Sequence, residues 1–209
     1  MEIEKFIRFL VYAHATFGGI ALVTGLVALI AKKGKTIHKK SGLLFFYSML
    51  VSAFIALVVA LLPNHFNPFL FAIGIFSSYF LLSGYRSIKF KQNTHNYTPD
   101  KIIAIAILAT GLFMVLWPII IKHQINIVLL VFGSMSMAFG ISDLLAFRNT
   151  NELKKGWLKM HLGKMTGGYI SAVSAFFVVN NVLPGVWNWF TPGIIGSIYI
   201  TYWMRKIKK

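Results

Sequence analysis

Between Val11 and Ala31 the chain carries no Asp, Glu, Lys or Arg, and the nine positions that follow hold five lysines, at 32, 33, 35, 39 and 40. As a helix rising ~1.5 Å per residue, such a run reaches across the ~30 Å apolar core of a bilayer. Lipid offers the backbone no hydrogen-bond partners, so a continuous apolar run of this length can satisfy itself only as a helix. Short cationic loops stay on the cytoplasmic side, which puts the lysine-rich turn inside. A span, a basic turn and a second span opening at Ser41 form a hairpin. The rest of the chain repeats that grammar.

Seven spans follow, at about 6–31, 41–62, 68–87, 101–121, 125–147, 157–179 and 186–204. The outer connections are marked by turn residues: Pro63-Asn64, Lys122–Gln124, and Asn180–Gly185 with Pro184. The inner ones read as longer and basic, and Asn149–Met160 reads as a lysine-rich amphipathic lead-in to the sixth span. An odd number of spans sets the N-terminus outside and the C-terminal RKIKK inside. Trp117, Trp187 and Trp189 fall at the outer interface, with Trp157 and Trp203 at the inner one, as aromatic belts require. The expected fold is therefore an all-α polytopic bundle forming one transmembrane domain, in a bacterial cytoplasmic membrane. The first span reads as uncleaved, because Glu2 and Glu4 precede it and it is too long for a signal-peptide core.

The net charge of +16 does not mark a nucleic-acid binder. Of 21 Lys and Arg, 18 lie in four short segments, at 32–40, 86–101, 148–164 and 205–209, which is an orientation signal. Those segments attract anionic headgroups at the inner face. With no cysteine, disulfides, thiolate metal sites and covalent haem attachment are excluded.

Helices in lipid approach through small residues. Gly18, Ala21, Gly25 and Ala28 share a face of span one with His14. Gly133, Ser136 and Gly140 form a stripe on span five that Asp143 continues, and Gly163, Gly167, Ser171 and Ala175 line span six. His161 shares the adjacent face with Gly168 and Ala172. Ionisable groups within spans are costly and mark pairs, pathways or sites. Here they are His14, Arg86, Asp143 and His161, with His38 and Lys164 at the inner boundary. His14 lies toward the outer side, whereas His38, Arg86, Asp143 and His161 lie near inner ends of their spans.

Three chemistries suit the inner set. Neutral imidazoles on different helices, His38 and His161, can ligate one b-type haem, with Arg86 or Lys164 for a propionate. His38, Asp143 and His161 form a two-histidine, one-carboxylate set for zinc or iron, with Asp143 as the catalytic carboxylate of a membrane hydrolase. An Asp143–Arg86 pair with a nearby histidine can carry protons or recognise an anionic headgroup, with no cofactor at all. A small transporter or a non-catalytic subunit fits the Gly- and Ser-lined faces too. The structural alternative for each residue is a core ion pair or an imidazole bonded to a carbonyl. His65, His95 and His123 read as solvated loop histidines. A rhodopsin is excluded, because span seven has no lysine before Lys206.

The order His14–Gly18, basic turn, His38–Gly42, followed late by WLKMHLGKMTGGYISAVSAF with His161, resembles an uncharacterised family of bacterial multi-pass membrane proteins. That resemblance covers about a third of the chain and implies a class without an activity. The first unit is also similar, more distantly, to transmembrane cytochromes of the b561 kind. This implies His38 and His161 as an inner haem pair and His14 as one ligand of an outer haem, for which no second intramembrane histidine lies at the same depth. Seven-span zinc hydrolases offer a looser likeness, but their paired H-x-x-x-H motif is missing. A redox partner or a second copy of the chain is the protein neighbour these readings imply.

Overall fold

The computed structural model describes residues 2–207, and every regular element among them is helical. Seven long helices follow one another: α1 (Glu2–Ile30), α2 (Thr36–Val59), α3 (Pro68–Ser87), α4 (Thr98–Lys122), α5 (Ile127–Ala146), α6 (Thr150–Asn180) and α7 (Trp187–Ile207). A short 3-10 turn, Ile88–Lys91, extends α3. The first six helices are long and apolar enough to cross a membrane. α7 has the length but carries Asn188, Pro192, Arg205 and Lys206. Lys208 and Lys209 of the basic tail lie outside the described residues.

Helix boundaries depart from the apolar runs where polar residues take up helix. α2 starts at Thr36, so His38, Lys39 and Lys40 belong to its first turns. The lysine-rich lead-in of α6 is continuous with the span, which shortens the α5–α6 connection to 147–149. The turns after α2, α4 and α6 use left-handed backbone at Asn64 (φ 63°), His123 (φ 49°) and Asn181 (φ 48°). Asparagine tolerates that region better than most residues. The turn after α1 uses Gly34 at φ 77°.

The chain forms two compact units, 1–81 with 166–196 and 82–165 with 197–209. In the first, Ala21, Gly25 and Ala28 of α1 are buried, as the small-residue face predicts. Phe45 of α2 meets Tyr169 edge-on, with ring centroids 6.0 Å apart. Ser77 of α3 and Ser171 of α6 share a short hydrogen bond.

In the second unit α4 packs on α5 along glycines. A Cβ at Gly111 would lie 2.7 Å from the Gly133 carbonyl oxygen, and one at Gly140 would lie 2.9 Å from the Ala104 carbonyl oxygen. Gly133, Ser136, Gly140 and Asp143 are all buried, so the stripe expected on span five is the packed face. An aromatic cluster closes this unit around Phe90, Phe147, Leu153 and Ala104, with Tyr97 and Trp157 against it.

Candidate functional sites

The repeated H-x-x-x-G of the sequence is a reciprocal clasp between α1 and α2. His14 of α1 places Nδ1 2.9 Å from the Ser52 carbonyl oxygen of α2. The Ser52 hydroxyl lies 2.9 Å from the same nitrogen and donates to the His14 carbonyl at 3.0 Å. Four residues on, Gly18 faces the same partner: a Cβ there would sit 3.4 Å from Ser52 Oγ. At the other end His38 of α2 donates from Nδ1 to the Ala28 carbonyl of α1 at 2.9 Å. A Cβ on Gly42 would lie 3.9 Å from the Ala28 Cβ. Each histidine therefore grips one residue of the opposite helix, and the glycine one turn later faces that same residue. Fourteen residues separate the two clasps on either helix, about 21 Å of rise.

The Ala28 carbonyl also accepts from Lys33 Nζ at 3.1 Å, and Lys33 donates to the Leu29 carbonyl as well. These are last-turn carbonyls of α1, which have no partner within their own helix. Burial pushes the Lys33 amine below the ordinary lysine range. His38 and Lys33 thus cap α1 while the chain turns back into α2. A carbonyl only accepts, so the proton of both imidazoles sits on Nδ1, and Nε2 is the lone-pair nitrogen.

The second unit holds the other intramembrane groups. His161 of α6 donates from Nδ1 to the Gly84 carbonyl of α3 at 2.8 Å, and the Ser87 hydroxyl donates to the same oxygen at 2.8 Å. Here too a glycine marks the crossing: a Cβ on Gly84 would lie 2.9 Å from the backbone nitrogen of Met165. Asp143 of α5 accepts from Lys164 Nζ of α6 on both oxygens, at 2.9 and 2.8 Å. The two residues are 4% and 8% exposed, so the pair lies inside the protein. Lys164 Nζ also stands 5.3 Å from the Phe139 ring centroid.

Arg86 has a different acid from the one expected. Its Nε and Nη2 donate to Asp100 at 2.7 and 2.9 Å, and Nη2 also reaches the Asn96 carbonyl at 3.2 Å. His95 Nε2 joins the same carboxylate at 2.8 Å. The His95 ring packs against Phe90 and Tyr97, and its side chain is only 5% exposed. The loop reading given to His95 from sequence missed this. The signal available was Pro99-Asp100 at the start of a span, an acid in a helical first turn beside a basic loop. Burial, followed by the Asp100 charge, raises the Tyr97 phenol above its ordinary range.

Of the residues singled out by sequence, His14 and His38 belong to the first unit, and Arg86, Asp143 and His161 to the second. Asp143 meets Lys164, and Arg86 is held by Asp100. Among the described residues, no three His, Cys, Asp or Glu side chains gather as a metal-binding group. Compared with family models, curated proteins and solved structures, the chain matches none. Two features stand out among the described residues: histidines held by Nδ1 onto helix carbonyls, and buried carboxylates that pair with cations of the chain itself, Asp143 with Lys164 and Asp100 with Arg86.

Proposed function

We propose that this is a seven-span protein of the bacterial cytoplasmic membrane, N-terminus outside, that binds b-type haem through histidine and serves electron transfer. At ~1.5 Å per residue, the 21 residues of α7 reach across the apolar core. Trp187 and Trp189 at one end, and Trp203 with Arg205 and Lys206 at the other, suit a seventh span. The lysine-rich turn after α1 then faces the cytoplasm beside anionic headgroups.

The observation that carries the haem reading is the common state of His14, His38 and His161. Ligating histidines hold their second ring nitrogen on a carbonyl or carboxylate, which fixes the tautomer and makes the ligating nitrogen more basic. All three intramembrane imidazoles have Nδ1 on a carbonyl. That donor chemistry would suit haem held through Nε2, and His38, His161 and His14 are the residues that would hold it. The cations expected at the propionates fit less well, because Arg86 and Lys164 each hold a carboxylate of the chain itself. Lys39 and Lys40, next to His38 and exposed, are the alternatives. When bound, haem would supply one-electron exchange, and the chain would supply the imidazoles and their orientation.

A hydrolase built on His38, Asp143 and His161 draws less support, since both Asp143 oxygens accept from Lys164. The deciding experiment is the visible spectrum of detergent-purified protein, made with ample haem supply, before and after dithionite. A Soret band that shifts on reduction, with sharp α and β bands, is expected. It should be lost in His38→Ala and His161→Ala and kept in His95→Ala. A flat spectrum sinks the proposal.

A further inference from the structure

Lys164 is the fifteenth of the 31 residues of α6, well inside a helix that must cross the membrane. That helix is also the least apolar of the six candidate spans, with a mean hydropathy of 1.3 against 2.5 for α4. A lysine in such a place ordinarily extends its stem toward the interface and leaves its charge in water. Lys164 does not: it is 8% exposed and its ammonium is held sideways by α5. The holder has two parts on one α5 face, the Asp143 carboxylate and, one turn earlier, the Phe139 ring. The α5–α6 connection is only residues 147–149, so the two helices emerge as a hairpin and can meet without searching.

An alternative place for α6 is also written in its sequence. Its first half carries Lys154, Lys155 and Lys159 before Lys164, and a lysine-bearing helix can lie along the inner headgroups instead of crossing. Its charge must be neutralised for crossing to win.

We propose that α5 and α6 enter the membrane as one hairpin, and that Asp143 commits α6 to its transmembrane placement by neutralising Lys164. The acid acts as the topological determinant and the lysine as the group it answers. This rests on the seven-span topology proposed above and is independent of haem. The two roles are unequal because sidedness beyond α6 is what is read. Removing the acid leaves α6, the less apolar of the two helices, with an uncompensated lysine, whereas removing the lysine makes α6 more apolar and leaves the uncompensated charge on α5.

The chain has no cysteine, so one introduced thiol reports sidedness without further changes. Val182→Cys places it on the exposed connection between α6 and α7. Intact cells are treated with a membrane-impermeant maleimide, and a second sample is labelled after permeabilisation. The parent Val182→Cys protein should label from outside. Adding Asp143→Leu should lower outside labelling on the order of tenfold, given the cost of an unpaired lysine within a span. Labelling after permeabilisation should stay unchanged. Lys164→Leu should label like the parent, and Asp143→Leu with Lys164→Leu should recover parental labelling.

If Asp143→Leu labels as the parent does, Asp143 does not set the placement of α6 and the inference is overturned. If the Asp143→Leu protein is degraded, the double variant decides: its recovery supports the inference and its loss overturns it. A parent that labels only after permeabilisation overturns the topology and the inference with it. The haem spectrum reads neither outcome, so the two proposals fail separately.

Discussion

The glycine seam between α4 and α5 makes a quantitative test of how this protein packs. A Cβ on Gly111 would stand 2.7 Å from the Gly133 carbonyl oxygen and 2.9 Å from the Met137 amide nitrogen, both backbone atoms of the facing helix. A side chain can rotate away from an intruding methyl, but a backbone carbonyl moves only with its helix. Restoring ordinary contact requires α5 to retreat by roughly 0.5 Å, loosening the neighbouring contacts. Overpacking of this kind costs about 1–3 kcal/mol. Against it runs the helix preference for alanine over glycine, about 1 kcal/mol. Gly156 in α6 isolates that second effect, because a Cβ there meets nothing within 4 Å. Gly156→Ala is therefore expected to be neutral or stabilising, and Gly111→Ala to be less stable than Gly156→Ala by about 1–3 kcal/mol. Gly133→Ala repeats the test from the other side, where Gly111 O would be 2.9 Å away. The assay is reversible unfolding in mixed micelles of mild detergent and SDS, followed by far-ultraviolet circular dichroism. If Gly111→Ala and Gly133→Ala both match Gly156→Ala, the seam is not a backbone-to-backbone contact and the packing argument is wrong.

The His14–Ser52 clasp predicts an order of damage under the same assay. Ser52→Ala removes the hydroxyl but leaves the Ser52 carbonyl on His14 Nδ1, and should cost about 1 kcal/mol. His14→Ala leaves the carbonyl and the hydroxyl of a residue 1% exposed without that imidazole, and should cost more, about 1–3 kcal/mol. The reverse order would mean that the imidazole is not the clasp. Tyr97 predicts a pH effect. Its phenol pKa is raised in the folded protein, so the contribution is fully present below the unfolded value near ~10 and is lost as the pH rises through the folded value. The parent protein should therefore lose stability above about pH 10 more steeply than Tyr97→Phe. Among the described residues the Tyr97 hydroxyl is buried with no hydrogen-bond partner, so at pH 7 the substitution should be neutral or stabilising. Parallel curves for the two proteins would refute the burial argument.

What could be read from sequence divides by the kind of physics involved. Helix existence and packed faces were legible, because in lipid they follow from local rules: apolar length, and small residues at helical spacing. Ala21, Gly25 and Ala28, and the Gly133 to Asp143 stripe, are buried as their spacing predicts. Pairings between charges were not legible, because partner choice depends on which helices are adjacent. Sequence depth allowed Asp143 to meet Arg86. Yet Arg86 closes on Asp100, only 14 residues away across the α3–α4 connection, and Asp143 takes a lysine that depth counting had assigned to the boundary. His95 failed for a related reason: polar sequence around it reads as loop, while Phe90 and Tyr97 supply the rings that bury it.

The H-x-x-x-G echo shows why the histidines must be judged by nitrogen and not by residue. Nδ1 of His38 and His14 already serves the fold, one end of the α1–α2 pair each, with a glycine facing the gripped residue. Replacing either histidine therefore weakens the hairpin whether or not any cofactor binds at Nε2. A lost haem spectrum in His38→Ala would by itself be explained equally well by an open hairpin. The discriminating comparison is Ser52→Ala, which loosens the His14 clasp without replacing a candidate ligand and leaves the His38 contacts untouched. Haem retained in Ser52→Ala but lost in His38→Ala, at comparable stability of the two proteins, assigns the loss to Nε2. Equal loss in both assigns it to the hairpin. The same local geometry holds the fold and readies a ligand, because an imidazole fixed through one nitrogen is oriented at the other.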